Sequence, residues 1–408
     1  MIGFIMPAVS HKKSILVMES GSFKTFGGAV KDSHRLYVYL KSLGKYKIDF
    51  FADFSKFGEH PPIALDEMYK THYDLIIINS MRDVLLLKKY MPKNTSTKTI
   101  YVDRGDIVYH YFTLPGSRAI SRLAGIFPIS ADMSDSMSKS IIKSTNSIAL
   151  KHARDFFSKG YGLYLFKEMR KWLTCYIAIN AEQELRARKF FISKTMVKYI
   201  PIAPHEEFTC LHIKKDFEGG IFIGRLEETQ KRVSLLIQGI KEVVRMHPEL
   251  KGRELLRIYG TGPDEGYYKQ LVKELALESS ISFRGFALES KLLHAYNDAG
   301  FFVSSSYWEG LSRVFLEAMA CGLPVLANTK NNRLIDYKKR KYLVRENKNG
   351  LIFEYGNMSD FAKKFYLLYS DKKLAKSLGN NAQKLISKEL NIKKMLASYD
   401  ALISGLLS

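Results

Sequence analysis

Residues 301–327 read FFVSSSYWEGLSRVFLEAMACGLPVLA, and this stretch decides the fold class. Apolar and small residues predict a short buried strand over 300–304, and a second apolar run after Gly-Leu-Pro predicts a strand over 324–327. Between them, a helix rich in small residues opens after Gly310. A strand, a helix and a further strand in this order predict a parallel sheet covered by helices, that is, an α/β fold.

The same alternation runs through the rest of the chain. It predicts strands near 14–18, 47–52, 75–79, 99–103, 175–180, 197–202, 220–224, 255–259 and 281–283. A chain of 408 residues is too long for one ordinary core. The alternation restarts after a stretch containing Pro201 and Pro204, which marks a boundary. We therefore predict domains over 1–205 and 206–385, followed by a C-terminal helix over 386–408 that could pack back on the first domain.

The composition is that of a globular protein with a large positive charge. The chain has 63 Lys and Arg against 41 Asp and Glu, a formal net charge of +22, which predicts an anionic partner. No apolar run reaches the roughly 18 residues that span a bilayer. Cys175, Cys210 and Cys321 are widely spaced and odd in number, which favours reduced thiols. These features predict a soluble or peripheral protein of the cytoplasm, with the inner face of the cell membrane as a candidate location.

Two acids frame the central helix of the opening stretch. Glu309 follows a predicted strand, at the edge where open α/β sheets bind ligands. Glu317 comes eight residues later, or roughly 12 Å away if the span is helical. A retaining glycosidase needs its two carboxylates about 5 Å apart, so these two acids fit a different task. We expect each of them to hold a different part of one extended ligand.

The string EGLSRVFLEAMACGLPVLA, 309–327, resembles the retaining glycosyltransferases of family four, typified by sucrose synthase and bacterial mannosyl- and glucosyltransferases. The resemblance implies a GT-B fold, in which two Rossmann-like parallel-sheet domains face a central cleft. The N-terminal domain would bind the acceptor and the C-terminal domain the nucleotide sugar. By the same resemblance Glu309 touches the donor sugar and Glu317 the ribose hydroxyls. The backbone amides of Gly310, Leu311, Ser312 and Arg313 would face the sugar and phosphates.

Cations follow the first strand of the second domain. Gly224 and Arg225, with Lys231 further along, resemble the diphosphate-binding Gly-Arg…Lys pair of that family, and Arg232 is a rival for the lysine's role. Fixed cations stabilise the negative charge that develops on a leaving nucleoside diphosphate. The chain has no Asp-x-Asp triplet to hold a metal-bridged diphosphate. We therefore expect no metal and no cofactor, with the cations supplying the charge.

Further glycines and cations complete the predicted donor site. Gly260 and Gly262 follow a strand, and a turn without side chains lets the backbone approach a base or phosphate. Arg284 and Gly285 would lie near the nucleobase by resemblance.

In the first domain, Gly27 and Gly28 match the place of the family's glycine-rich loop, although a tight strand-to-helix turn would explain them equally. His110 is a candidate catalytic residue because the family often has a functional histidine near there, but a surface histidine fits the sequence as well. The chain departs from the family's pattern at residues 199–205, which read YIPIAPH where the family commonly has Ile-Pro-Asn-Gly.

Residues 130–173 interleave cations with aromatic residues. Such a segment suits an acidic lipid interface, and it equally suits a solvated basic helix whose aromatic residues join the core. An anionic membrane is therefore a candidate peripheral partner.

The sequence thus predicts an enzyme: a metal-independent, retaining hexosyltransferase that moves a hexose from a nucleotide diphosphate sugar to a lipid-linked or polysaccharide acceptor. One rival is a sugar-nucleotide epimerase of GT-B type. The other is a basic membrane- or nucleic-acid-binding module on a degenerate transferase scaffold. No zinc-finger or RNA-recognition pattern supports nucleic-acid binding, so no nucleic-acid partner is expected.

Overall fold

The computed structural model describes residues 12–19, 28–52, 62–104, 164, 167–191, 195–211, 213 and 215–408. The chain divides into two compact units. The first comprises residues up to Ile179 with Gln183–Tyr199 and Ser398–Ser408, and the second comprises Asn180–Glu182 and Ile200–Ala397. Each unit contains a six-stranded parallel sheet, which confirms the predicted α/β class with two parallel-sheet domains.

The described elements of the first unit alternate between strands and helices, as predicted, apart from the step from the fourth strand to the fifth, where residues 105–163 lie outside the described part of the chain. In chain order they are β1 (Ser14–Glu19), α1 (Gly28–Ser42), β2 (Lys47–Ala52), α2 (Leu65–Lys70), β3 (Leu75–Ile78), α3 (Met81–Tyr90), β4 (Lys98–Asp103), β5 (Cys175–Ala178), α4 (Ala181–Phe190) and β6 (Met196–Tyr199).

The sheet of the first unit runs in the order β2-β1-β3-β4-β5-β6. Strand β3 has the sequence LIII, and all four residues are buried. A continuous apolar run is expected where helices cover both faces of a parallel sheet. Leu16, Ile76 and Tyr176 belong to one core cluster beside these strands. The core therefore follows directly from the apolar strands that the sequence predicts.

The second unit repeats the alternation with additional elements. In chain order they are β7 (Gly220–Ile223), α5 (Val233–Met246), β8 (Leu256–Tyr259), α6 (Glu265–Glu274), β9 (Ile281–Gly285), α7 (Glu289–Asp298), β10 (Phe301–Val303), α8 (Arg313–Ala320), β11 (Val325–Asn328), β12 (Leu334–Asp336), β13 (Lys341–Tyr342), β14 (Gly350–Phe353), α9 (Met358–Ser370), α10 (Lys372–Glu389) and α11 (Ile392–Leu407).

The sheet of the second unit has the order β14-β11-β10-β7-β8-β9. From β7 the chain proceeds outward through β8 to β9, and it then returns to the other side of β7 with β10. The order of strands therefore reverses between β7 and β10. At such a reversal the loops after two neighbouring strands diverge, and the crevice between them is where open α/β sheets bind ligands.

The helix predicted over 386–408 consists of two elements. Helix α10 ends at Glu389 and α11 begins at Ile392. The side-chain oxygen of Asn391 accepts a hydrogen bond from the Lys394 backbone N–H (3.0 Å), so Asn391 caps a new helix rather than continuing the old one. The antiparallel β12–β13 pair and strand β14 were not predicted.

The last residues of α11 belong to the first unit. Asp400 accepts a hydrogen bond from Lys45 (3.1 Å), and the Ser404 hydroxyl lies 2.9 Å from that of Tyr46. Tyr399 and Ile403 are buried on the same helix. In the described part of the chain, no helix combines the length and the apolar character needed to cross a membrane.

Candidate functional site

The loops that follow β7 and β10 are tied together at the reversal of the second sheet. The Ser305 hydroxyl donates a hydrogen bond to the Lys231 carbonyl (2.8 Å), and the Tyr307 backbone N–H donates to the Gln230 carbonyl (2.8 Å). Two segments far apart in sequence therefore form one structural unit, at the position where the sheet topology predicts a ligand.

Lys231 and Glu309 meet in this unit. The lysine ammonium and the Glu309 carboxylate form a hydrogen-bonded ion pair, and their side chains are only 16% and 13% exposed. A charge so far withdrawn from water needs a partner. Gly224 lies beside this pair, since a Cβ there would be 3.1 Å from the Phe222 ring and 3.4 Å from Lys231 Cε. The structure thus brings together three residues that the sequence predicted to share a donor site.

The two arginines of the same loop are placed differently. The side chain of Arg225 is 65% exposed and pairs with Glu227 at 3.4 Å. Arg232 adopts a left-handed backbone conformation (φ 50°) at the start of α5 and pairs with Glu228 at 3.7 Å. Of the two adjacent cations, it is Lys231 that contacts Glu309, which favours the lysine over its rival. Arg225 is not brought to Glu309, so its role in the site stays a prediction.

Glu317 lies on α8 and is almost fully buried. The Tyr296 hydroxyl, from α7, donates a hydrogen bond to Glu317 Oε2 (3.0 Å). Burial, followed by the nearby Glu317 charge, raises the pKa of Tyr296 well above its ordinary value, so this tyrosine stays a hydrogen-bond donor. Tyr296 therefore contributes to the fixed orientation of the Glu317 carboxylate.

The span between the two acids is not a continuous helix. Helix α8 begins at Arg313, so Gly310, Leu311 and Ser312 precede it. The helical separation expected for Glu309 and Glu317 is therefore wrong, because the first acid stands on a loop. The backbone N–H groups of the first turn of a helix lack partners within that helix, and this turn directly follows Glu309.

Side chains from distant parts of the chain hold the Glu309 loop. Asn180 Nδ2 donates to the Gly310 carbonyl (2.8 Å), and Arg333 Nε donates to the Glu309 carbonyl (2.6 Å). Arg333 also pairs with Glu182 at 3.3 Å. The Arg313 side chain donates to the Ala203 carbonyl (3.3 Å). Sequence reasoning missed Asn180 and Arg333, since no spacing connects them to the motif that they support.

A cluster of small polar residues lies under the same loop. Asn328, at the end of β11, donates through Nδ2 to the Ser306 carbonyl (3.0 Å). Its Oδ1 accepts from the backbone N–H groups of Lys330 (2.8 Å) and Asn331 (3.1 Å). Asn328 and Ser306 are buried. One asparagine thus connects the loops after β10 and β11, and this fixes the backbone that leads to Glu309.

The two glycines after β8 allow close packing of two backbone segments. A Cβ at Gly260 would overlap the carbonyl of Gly224, and a Cβ at Gly262 would overlap the backbone of Leu226. Gly260 also has a positive φ of 135°, a conformation that favours glycine. These two glycines let the loop after β8 pack directly on the loop that carries Lys231. Their contact with a donor stays a prediction.

Arg284 and Gly285 end β9 beside that loop. Gly285 has a positive φ of 67°, and its carbonyl accepts from the Gly260 N–H (2.8 Å). The Arg284 guanidinium donates to Glu254 (2.6 Å) and to the Ser282 hydroxyl (3.0 Å). Arg284 is therefore held by its own strand neighbours, while Gly285 continues the chain of backbone contacts towards Gly224.

The structure describes only some of the other residues that the sequence analysis singled out. Gly28 is the first residue of α1, while Gly27 and His110 lie outside the described residues. Of the segment 130–173, only 164 and 167–173 are described. There Tyr164 and Trp172 pack against the core of the first unit, and Arg170 lies over the ring of Phe190 at 4.2 Å. The described end of the segment thus follows the core alternative rather than the lipid-facing one.

His205 of the segment 199–205 and the three cysteines all lie in described parts of the chain. His205 is buried, and its Nδ1 lies 3.2 Å from Glu289 Oε1. Cys175, Cys210 and Cys321 are free. Burial raises the pKa of Cys175 to about 12, so its thiol stays protonated.

Comparison with known proteins gives a family match within the second unit. Residues 207–385 match the family model of the glycosyl transferases group 1. The protein EpsD of Bacillus subtilis (strain 168), a glycosyltransferase by name, is 26% identical over 261 residues, which are 58% of this chain and 64% of EpsD. The chain thus spans less than two thirds of the length of this curated relative.

Two solved structures share the fold over almost the whole chain. Sucrose-phosphate synthase from Thermosynechococcus elongatus superposes with a TM-score of 0.69 at 16% identity, covering 97% of this chain and 99% of its own. HepE from Anabaena, solved in complex with UDP and glucose, gives a TM-score of 0.64 at 15% identity, covering 96% and 100%. At such low identity these likenesses establish the architecture, which is that of GT-B glycosyltransferases.

Proposed function

We propose that this chain, whose residues 207–385 match the family model of the glycosyl transferases group 1, is a retaining hexosyltransferase. It would transfer a hexose from a nucleotide diphosphate sugar to a lipid-linked or polysaccharide acceptor. The proposed location is the cytoplasm, at the inner face of the cell membrane if the acceptor is a lipid. The observation that carries the proposal is the largely buried Lys231–Glu309 ion pair at the strand-order reversal of the second sheet.

The site supplies what a leaving nucleoside diphosphate requires. As the bond between the sugar C1 and the diphosphate breaks, negative charge accumulates on the phosphate oxygens. In this proposal the Lys231 ammonium, which pairs with Glu309, and the backbone N–H groups at the start of α8 would stabilise that charge without a metal. Glu317, oriented by Tyr296, would bind the ribose hydroxyls. These contacts position the donor as well as stabilising charge.

The anomeric configuration is retained if the bond to the diphosphate breaks and the bond to the acceptor forms on the same face of the sugar. The acceptor oxygen forms the new bond to C1 on the face that the diphosphate leaves. The acceptor's proton passes to the departing phosphate oxygen, and nucleoside diphosphate is released. In this scheme no side chain forms a covalent bond to the sugar. Glu309 would contact the sugar hydroxyls and free Lys231 for the diphosphate.

A direct test measures which product forms. Thermal shift with UDP, GDP and ADP selects the nucleobase. Donor sugars of that nucleotide are then incubated with and without glycan and glycolipid acceptors, and NMR reports the anomeric configuration. We expect release of nucleoside diphosphate, slow hydrolysis without acceptor, and retained configuration in the product. Glu309→Gln should reduce transfer by about a hundredfold, while the surface variant Glu274→Gln should not.

Three results would contradict the proposal. An altered sugar still attached to its nucleotide would indicate an epimerase. Inverted configuration would exclude retention. No nucleotide binding by a folded protein would favour a non-catalytic module.

A further inference from the structure

A second cationic site lies in the second unit, on residues other than those of the donor site. The loop before β14 and one face of α10 line an open, shallow pocket of about 340 Å³. Its lining includes four cations, Arg345, Lys348, Lys384 and Lys388, and in the described part of the chain one acid, Glu389. We call this group the basic pocket. A volume of this size accommodates a small ligand.

The one acid of the basic pocket is already neutralised. Glu389 forms an ion pair with Lys341, whose side chain is only 16% exposed. Lys384 and Lys388 are one helical turn apart on the same face of α10, a spacing at which like charges repel. The Nε atom of Arg345 is buried and has no hydrogen-bond partner within the described residues. Among the residues that the structure describes, none of the four cations of the pocket forms an ion pair with an acid, so the pocket concentrates positive charge.

The loop that carries Arg345 is held in a fixed shape. The Arg345 backbone N–H donates to Asn349 Oδ1 (2.6 Å), and Asn349 Nδ2 donates to the Leu343 carbonyl (2.9 Å). Asn381, on α10, donates to the Lys348 carbonyl (2.9 Å) and so attaches the loop to the helix. The cations from the two elements are thus anchored to a common frame. Preorganised charges lose less entropy on binding an anion than freely moving ones.

We propose that the basic pocket binds a multiply charged phosphate group. A phosphate offers several acceptor oxygens to one arginine and three lysines. Arginine can bind such a group through two parallel N–H bonds, while lysines act as point charges. A bound anion would remove the repulsion between Lys384 and Lys388 and would supply a partner for Arg345. The phosphate can belong to a lipid head group or to a soluble compound. The proposal does not depend on transferase activity.

The test compares two double variants with equal change of charge on the same helix. Lys384→Ser with Lys388→Ser removes two cations of the basic pocket. Lys373→Ser with Lys376→Ser is the matched control, because both of its lysines are exposed on α10 and do not line the pocket. Binding of inorganic pyrophosphate is measured by calorimetry with the donor site saturated by nucleoside diphosphate. Thermal melting verifies that each variant is folded.

We expect wild type and control to bind pyrophosphate with similar affinity, and the pocket variant to bind it at least about tenfold more weakly. Equal binding by the two double variants overturns the proposal, and so does the absence of any binding by wild type. Sedimentation with phosphatidylglycerol vesicles distinguishes the sources. A larger loss of vesicle binding in the pocket variant identifies a lipid head group. Equal vesicle binding, together with selective loss of pyrophosphate, identifies a soluble phosphate compound.

Discussion

At the residue scale, the Lys231–Glu309 pair leads us to expect effects of opposite sign on nucleotide binding when one or the other residue is removed. Each side chain is less than one fifth exposed, so each charge depends on the other while the donor is absent. A diphosphate that binds Lys231 must compete with the Glu309 carboxylate. Removing the acid should therefore release the cation, whereas removing the cation should remove a phosphate ligand.

The first prediction concerns Glu309→Gln. We expect affinity for free nucleoside diphosphate to stay unchanged or to rise a few-fold, while the rate of transfer falls by about a hundredfold. Calorimetry with the nucleotide and an assay of transfer measure the two quantities on one preparation. If the ion pair only held two loops together, nucleotide affinity would fall along with transfer, and the competition argument would be wrong.

The second prediction concerns the hydroxyl of Tyr296. Tyr296→Phe keeps the ring and removes the hydrogen bond to Glu317, so the carboxylate loses one contact that orients it for the proposed ribose hydroxyls. We expect nucleotide affinity to fall by about three- to tenfold, which corresponds to roughly 1 kcal/mol. Tyr90→Phe, which removes a bonded hydroxyl from the first unit, is the matched control. Equal nucleotide affinities for the two variants would assign Tyr296 a role in packing alone.

At the element scale, the contact of α5 with α9 depends on a glycine. A Cβ at Gly239 would overlap the ring of Phe361, a core residue of α9. The third prediction is that Gly239→Ala lowers the free energy of unfolding by about 1–3 kcal/mol, as measured in denaturant. Gly266, on α6, has nothing within 4 Å of such a Cβ, so Gly266→Ala should raise it by up to about 1 kcal/mol. Equal effects would disprove the packing argument.

At the scale of the whole molecule, the end of the chain completes the first unit. Tyr399, Ile403 and Leu406 are buried there, and burying each such side chain contributes about 1.5–3 kcal/mol. The fourth prediction is that a chain ending at Ala397 loses several kcal/mol of stability in its first unit, measured by hydrogen exchange of β1–β4 amides. Exchange in β7 and β8 should change little. Uniform loss of protection across both sheets would contradict the division observed here.

All strands of the two six-stranded sheets except β14 could be predicted from the sequence, because they are short, largely apolar runs. In the second unit the predicted 220–224 and 281–283 agree with β7 and β9 to within two residues. The β12–β13 pair could not be predicted, because two- and three-residue strands without a long apolar run leave too little periodicity. Strand β14 was missed although its GLIF run is as apolar as strands that were predicted. Helix α11 begins with one capping hydrogen bond to Asn391. The position of this asparagine in the sequence does not identify it as a helix cap.

The candidate site was predictable as a set of residues but not as a set of contacts. The motif indicated Glu309, Glu317 and a lysine. Choosing Lys231 over Arg232 required the structure, because the side chains of these adjacent residues point in different directions where the backbone is left-handed. Arg225 is exposed and pairs with Glu227, and the sequence alone shows neither of these facts. Asn180 and Arg333 come from elements far along the chain, and a single sequence contains no record of such contacts.

The central claim is that Lys231 and Glu317 bind one nucleoside diphosphate at the reversal of the second sheet. The most direct test measures the dissociation constant of the preferred nucleoside diphosphate for Lys231→Ala and Glu317→Ala, with Lys273→Ala as an exposed control. We predict that each site variant binds at least about tenfold more weakly than wild type and that the control binds equally well. Folded site variants with wild-type affinity would contradict the claim.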